Sequence, residues 1–219
     1  MSFSNEWEGI YRQNAHMSVW PWSDLVSLVM QHKPEKSNLK VLELGCGAGA
    51  NIPLFASLGA SYYAVDGSET VVNKLHKKFP QFSKHIYVGD FTKDIPNENF
   101  DLIVDRASLT HNSTASIVQC LNKCHKQLVV GGKFIGSDWY STDYSDYSKG
   151  EQAEDVWTRK NFIDGSFNGA GSVHFTDKNH LLELFEQFKV LNMTHKTLCE
   201  EVPHRSWKFA AWNLVAQKI

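Results

Sequence analysis

The chain has 219 residues, 42% of them hydrophobic and 21% charged, which fits an ordinary globular protein with one core. Its net charge of −2 and pI near 6.5 argue against a nucleic-acid-binding surface, which needs a dense Lys/Arg patch. The four cysteines, Cys46, Cys120, Cys124 and Cys199, form neither a CxxC zinc pattern nor a disulfide scaffold. No apolar run approaches the ~20 residues of a membrane helix, and the first residues lack the basic and apolar regions of a signal peptide. The expectation is a cytoplasmic, reduced protein that handles a small molecule, touches neither nucleic acid nor membrane, holds no metal, and works as a monomer or homodimer.

Residues 1–35 read as a helical segment rich in aromatics, with Trp7, Tyr11, Trp20 and Trp22. From residue 38 to 138, short apolar runs alternate with helical spacing. Strand candidates are Leu39–Leu44, Ser61–Val65, His85–Val88, Phe100–Val104 and Gly132–Ser137. Between them, Val71, Val72 and Leu75 share one helix face, as do Ile117, Leu121, Cys124 and Leu128. Cys120 and Cys124 fall in that apolar pattern and read as core. Such alternation implies right-handed βαβ units and a parallel sheet covered on both sides.

Residues 139–175 break the alternation. They are polar and aromatic (Tyr140, Tyr144, Tyr147, Phe162, Phe167) and contain the turn-rich Asn168-Gly169-Ala170-Gly171. A long insert after a sheet strand reads as a lid or binding loop. Residues 1–22 and 139–172 are expected to close over one pocket and to order around its ligands. From 176 to 219, Thr176 is placed to cap a helix with Leu181, Leu184, Phe185 and Phe188 on its apolar face, and two strand candidates follow, Val190–Thr194 and Lys208–Ala216. The chain thus divides into a cap (1–35), a ligand-binding core (38–138), an insert (139–175) and a C-terminal helix and strand pair (176–219), all in one domain.

The chemistry concentrates in Val41-Leu42-Glu43-Leu44-Gly45-Cys46-Gly47-Ala48-Gly49, a strand running into glycines. Glycines let the backbone turn sharply and approach a ligand closely. A dinucleotide fingerprint would read GxGxxG and receive a pyrophosphate. Here the pattern is GxGxG, with the Glu43 carboxylate two residues ahead of it. A carboxylate is a poor neighbour for pyrophosphate and a good one for an ammonium, so the loop favours S-adenosylmethionine, which has a cationic end and no phosphate. Asp66 ends the second strand twenty-one residues past Gly45, where an acid can accept from both ribose hydroxyls. Asp90 ends the third strand beside Phe91, a pair suited to an adenine amino group and ring.

With these residues in order on successive strands, the chain resembles the class I S-adenosylmethionine-dependent methyltransferases of small-molecule type, with E-x-G-x-G-x-G at 43–49. The resemblance implies a doubly wound, seven-stranded, mostly parallel α/β sheet whose antiparallel last strand lies between the fifth and sixth. It implies S-adenosylmethionine as cofactor, S-adenosylhomocysteine as product, and methyl transfer to O or N of a small-molecule or sugar-like acceptor. Carried over by position, the cofactor residues are Glu43, Gly45, Gly47, Asp66, Asp90 and Phe91, with Cys46, Gly67 and Asp105 beside them. Tyr11, Trp20 and Trp22 are candidates to flank the sulfonium by cation–π contact, unless they only anchor the helices to the core. An NAD(P)-dependent oxidoreductase and a non-catalytic binding module are the alternatives.

The segment Asp105-Arg106-Ala107-Ser108-Leu109-Thr110-His111-Asn112 leaves the sheet at its ligand-binding edge. His111 is the candidate base, unless it only packs its loop. Arg106 is the candidate to hold an anionic group of the acceptor, unless it is taken up by a neighbouring acid. Asp138 and His174 are further candidates.

Overall fold

The structure, a computed structural model, describes residues 5–219. Helices α1 (Asn5–Arg12) and α2 (Ser23–His32) precede the sheet. In α1, Glu6 and Glu8 sit in the first turn and Arg12 in the last, so each sign of charge lies at the helix end that favours it. There follow β1 (Lys40–Leu44), α3 (Ile52–Ser57), β2 (Ser61–Asp66), α4 (Glu69–Lys78), β3 (Ile86–Val88), β4 (Phe100–Arg106), α5 (Thr114–Gln127) and β5 (Leu128–Tyr140). The insert contributes three short strands, β6 (Glu151–Gln152), β7 (Thr158–Lys160) and β8 (Val173–His174), before α6 (Lys178–Leu184), β9 (Lys189–Glu201) and β10 (His204–Gln217) close the chain.

The main sheet runs β3-β2-β1-β4-β5-β10-β9. The neighbours from β3 to β5 are parallel, and β10 is antiparallel to both β5 and β9. The last strand therefore lies between the fifth and the penultimate strand, as the resemblance implied. The chain first winds outward from β1 to β3, then returns to the other side of β1 as β4. That reversal leaves a crevice at the strand ends between β1 and β4, the switch point where ligands bind in such sheets.

Leu25 and Val29 of α2, Ile52 and Phe55 of α3, and Val71 and Leu75 of α4 pack on one face of the sheet. Ile117, Cys120, Leu121 and Cys124 of α5 and Leu181 and Leu184 of α6 pack on the other. The runs of buried residues in β1 and β4 are the signature of strands covered on both faces.

Three features depart from the sequence reading. The strand expected at 132–137 begins four residues earlier, at Leu128, and the final pair forms a long hairpin rather than two short strands. Helix α6 is capped by Asp177, whose carboxylate accepts from the His180 N–H at 2.8 Å, and not by Thr176. Thr176 gives both its N–H and its hydroxyl to the Tyr140 carbonyl instead. Lastly, the insert is built as a unit of its own. Its three strands form a small antiparallel sheet, and Tyr144, Phe162, Phe167, Val173 and Phe175 form an apolar cluster that packs on Ala210 of β10.

Candidate active site

The loop after β1 is fastened to the end of β2. The Gly45 N–H donates to the Val65 carbonyl, and the Gly47 N–H donates to the Asp66 carboxylate, each at 2.8 Å. Both glycines have positive φ, +62° and +49°. A Cβ on Gly45 would collide with the Ser108 hydroxyl, which donates to the Gly45 carbonyl at 3.0 Å, and a Cβ on Gly47 would lie 2.7 Å from the Tyr11 hydroxyl. A side chain would be strained by the positive φ at either position, and at Gly45 it would also displace Ser108. Gly49 serves packing instead, leaving room for Leu75 and Ile52 to sit close beneath the loop.

One cavity collects most of the residues singled out in the sequence. Tyr11, Glu43, Gly45, Cys46, Gly47, Asp66, Gly67, Asp90, Phe91, Arg106 and His111 all line it. Asp66 is nearly buried and also accepts from the Ser68 N–H at 2.9 Å. Burial pushes its pKa up to about 6, against the pull of the two backbone donors. Glu43 accepts from the Asn51 amide at 2.8 Å and the Tyr62 hydroxyl at 2.6 Å, and burial lifts it to about 7. Asp90 accepts from the Thr92 N–H and hydroxyl and pairs with Lys93.

Four candidates are not part of the cavity lining: Asp105, Trp20, Asp138 and His174. Asp105 is fully buried, and its carboxylate accepts from the Ser108 and Leu109 N–H groups and, at 2.7 Å, from the Trp139 indole. Strand alternation turns it to the face opposite its neighbour Arg106, so it holds the β4 loop instead of lining the cavity. Trp20 is 80% exposed in the connection between α1 and α2, whereas Trp22 and Tyr11 are on the cavity wall.

Part of the cavity wall is aromatic. Trp7 and Tyr140 meet the His111 ring edge-on, at centroid distances of 5.0 and 6.1 Å. Trp7 lies four residues before Tyr11 on α1, so one helix face delivers both to the cavity, and that spacing was the available signal for Trp7. Ser108 and Asn112 belong to the segment expected at the ligand-binding edge and Tyr140 to the insert, but no pattern singled them out within those segments. Of the insert, Tyr140 alone is among the lining residues described, so the insert does not form the broad cover expected of it.

Arg106 is engaged largely by protein. Its Nη2 and Nε lie 2.9 and 3.1 Å from the Asp138 carboxylate, and its guanidinium lies 3.7 Å above the Trp22 ring. Asp138 also pairs with Lys196, which reaches Asp24 of α2. Asp138 has φ +56°, unusual for a residue that is not glycine, and its N–H donates to Asn213, which sits in the bulge where β10 slips against β5.

The His111 Nδ1 lies 3.2 Å from the Ser172 carbonyl. A carbonyl only accepts, so Nδ1 carries the proton and Nε2 is left with its lone pair. Burial lowers the His111 pKa to about 4, which keeps the ring neutral at neutral pH. His174 lies outside the cavity, bonded to Thr158 and His180.

The donor set fits S-adenosylmethionine better than a phosphate-bearing cofactor. Three carboxylates line the cavity, and among the described lining residues Arg106 is the one fixed cation, already paired with Asp138. Residues 42–136 match the family model described as "Methyltransferase domain". The phosphoethanolamine N-methyltransferase of Plasmodium falciparum is 29% identical over 109 residues, which cover 48% of this chain and 41% of that protein. The chain thus spans less than half the length of this curated relative. Over residues 42–136 the chain is thus similar to a methyltransferase domain.

Solved structures agree in fold with the methyltransferase domain and its surroundings. A SAM-dependent methyltransferase of Methanosarcina mazei superposes with a TM-score of 0.70 at 15% identity, covering 92% of this chain and 99% of the other. The N-methyltransferase NodS of Bradyrhizobium japonicum, in complex with S-adenosylhomocysteine, gives 0.65 at 14% identity, covering 98% and 99%. No helix among the described residues is long and apolar enough to cross a membrane.

Proposed function

We propose that this chain transfers the methyl group of S-adenosylmethionine to O or N of a small-molecule acceptor, with His111 as the group that takes the acceptor's proton. The observation that carries this reading is the bare Nε2 of a neutral His111 on the wall of the cavity that holds the glycine loop, Asp66 and Asp90. When bound, the cofactor supplies an electrophilic methyl group on a positively charged sulfur.

In this reading Asp66 takes the ribose hydroxyls, Asp90 and Phe91 take the adenine, and the Gly45–Gly47 turn with Glu43 takes the amino-acid end. Tyr11 covers the turn. Trp7, Trp22 and Tyr140 wall off water from the acceptor and hold it in line, which is most of what a displacement from a good leaving group requires. Arg106 sets the plane of Trp22, and its edge on the cavity orients a polar group of the acceptor. His111 accepts the proton that a hydroxyl, or an amine arriving neutral, gives up as the methyl group is transferred. The names of the Plasmodium relative and of the cypemycin N-terminal methyltransferase from Streptomyces support nitrogen as the acceptor atom.

Methyl transfer from labelled S-adenosylmethionine across a panel of small amines, hydroxy compounds and sugars tests the reading. Transfer to at least one acceptor, lost in His111→Gln, is the expected result. Tighter calorimetric binding of NAD than of S-adenosylhomocysteine would overturn it.

A further inference from the structure

The insert places a buried polar chain outside the cavity whose direction can be worked out atom by atom. Asp155 accepts on one oxygen from the Trp157 N–H, the Thr158 N–H and the Thr158 hydroxyl, at 3.0, 2.9 and 2.9 Å. Burial alone would raise its pKa, but these donors and Thr114 hold it below the ordinary carboxylate range, so it stays an acceptor. The single Thr158 hydroxyl proton goes to Asp155, so Thr158 Oγ1 must accept from His174 Nδ1, 3.1 Å away. With its proton on Nδ1, His174 must accept at Nε2, and His180 Nε2, at 3.1 Å, must donate. His174 has no exposed surface and His180 is 5% exposed. Every member then has one consistent proton position, the condition under which a buried polar network rigidifies its surroundings.

This chain grips the segment that carries His111 at two points. The second oxygen of Asp155 accepts from the Thr114 N–H at 2.8 Å, satisfying one of the unpaired donors at the start of α5. Three residues before that N–H is His111 itself, whose Nδ1 is held by Ser172. Ser172 immediately precedes β8, where His174 faces Thr158 across the β7–β8 pair.

We propose that Asp155, Thr158 and His174 are positioning residues for His111: they hold β8 and the start of α5 in register, keep the Ser172 carbonyl on Nδ1, and so present Nε2 to the cavity. The insert thereby sets the tautomer of the base instead of serving as a lid. Its catalytic consequence rests on the functional reading above.

The tautomer of His111 decides the matter, read by long-range 1H–15N spectra of the full chain with labelled histidine and bound S-adenosylhomocysteine, the resonance being assigned by its loss in His111→Gln. The wild type should show the proton on Nδ1. Thr158→Val removes one hydroxyl, and His111 should then shift toward a mixture of tautomers with S-adenosylhomocysteine affinity unchanged. Thr158→Ser should restore the wild-type signature. Asp155→Asn, which spoils the acceptor at the head of the chain, should repeat the Val result. A proton on Nε2 in the wild type overturns the proposal. So does an unchanged tautomer in Thr158→Val when circular dichroism and melting show it folded. If the tautomer shifts as expected while His111→Gln keeps full methyl transfer, the reading of His111 as base falls and the coupling between insert and ring stands.

Discussion

The Glu8 carboxylate accepts from the Ser68 hydroxyl at 2.5 Å, and this contact moors the N-terminal cap to the sheet domain. Ser68 is the N-cap of α4, accepting from the Val71 N–H, and the Thr70 hydroxyl gives Glu8 a second bond at 2.5 Å. A negative charge thus sits at the positive end of α4. Burial would raise Glu8, but Ser68, Thr70 and Arg12 together hold it at about 2. One turn along α1, Tyr11 reaches the Gly47 turn.

Glu8→Ala should therefore release α1 from α4 and weaken S-adenosylhomocysteine binding by roughly 3–10-fold, with a smaller effect on melting, because a helix-terminal carboxylate contributes about 1 kcal/mol. With its folded pKa depressed, Glu8 stabilises the docked cap above its unfolded value of 4.5, and this is lost as pH falls toward 2. Calorimetry and hydrogen exchange over residues 5–12 check this. Unchanged affinity and unchanged exchange would mean that the cap is held elsewhere.

Asp66 yields a pH prediction with a definite sign. Its pKa is raised to about 6, so the carboxylate that would accept from the ribose hydroxyls is lost as pH falls through 6. Affinity for S-adenosylhomocysteine should drop from pH 7 to pH 5. Asp66→Ala should weaken binding at pH 7 by ~1.5–3 kcal/mol and remove the part of the pH dependence centred near 6, leaving that of Glu43, which burial raises to about 7. His111, with its pKa lowered to about 4, should add no ordinary histidine titration near 6.5. A step near pH 6 that is undiminished in Asp66→Ala would place that titrating group elsewhere.

How far the sequence could be read depended on whether a residue's role is set by its own strand or by a distant one. The order of strands, the glycine turn and the strand-end acids Asp66 and Asp90 follow from local patterns, because a βα unit places its own loop at the sheet edge. Asp105 ends a strand in the same way, but its environment comes from Trp139, thirty-four residues on, which no local pattern announces. The cap shows the same limit. Trp20 and Trp22 are both sulfonium candidates by sequence, and what separates them in the structure is that Arg106 stacks on Trp22. The insert read as a lid because its residues are polar and glycine-rich, yet its aromatics close on one another and on Ala210 from the other end of the chain.

Arg106 tests whether its planarity or only its charge matters. Lysine could keep the pairing with Asp138 but neither the two-pronged contact nor the flat stack on Trp22 at 3.7 Å. Arg106→Lys should raise KM for the acceptor several-fold, leave S-adenosylhomocysteine affinity alone, and shift tryptophan fluorescence as Trp22 loses its cation. If KM for the acceptor holds while cofactor affinity falls, Arg106 belongs to the cofactor half of the cavity.

Asp105 separates holding a loop from binding a ligand. Its carboxylate satisfies the Ser108 and Leu109 N–H groups on one oxygen and the Trp139 indole on the other, all in the interior. An asparagine has one acceptor oxygen, so Asp105→Asn must leave either the indole or the two backbone donors facing an amide. The expected cost is ~2–4 kcal/mol of stability, from orphaned buried donors. Burial raises Asp105 to about 7, so the folded state keeps its proton to higher pH than the unfolded chain. That contribution is full below about 4 and is lost as pH rises through 7. The stability gap between wild type and Asp105→Asn should therefore be larger at pH 5 than at pH 8 in urea unfolding. Because Ser108 donates to the Gly45 carbonyl, loosening this loop should also weaken S-adenosylhomocysteine binding, but only in step with the loss of stability. A variant with wild-type stability and weakened binding would show that Asp105 meets the cofactor directly, and the loop assignment would fail.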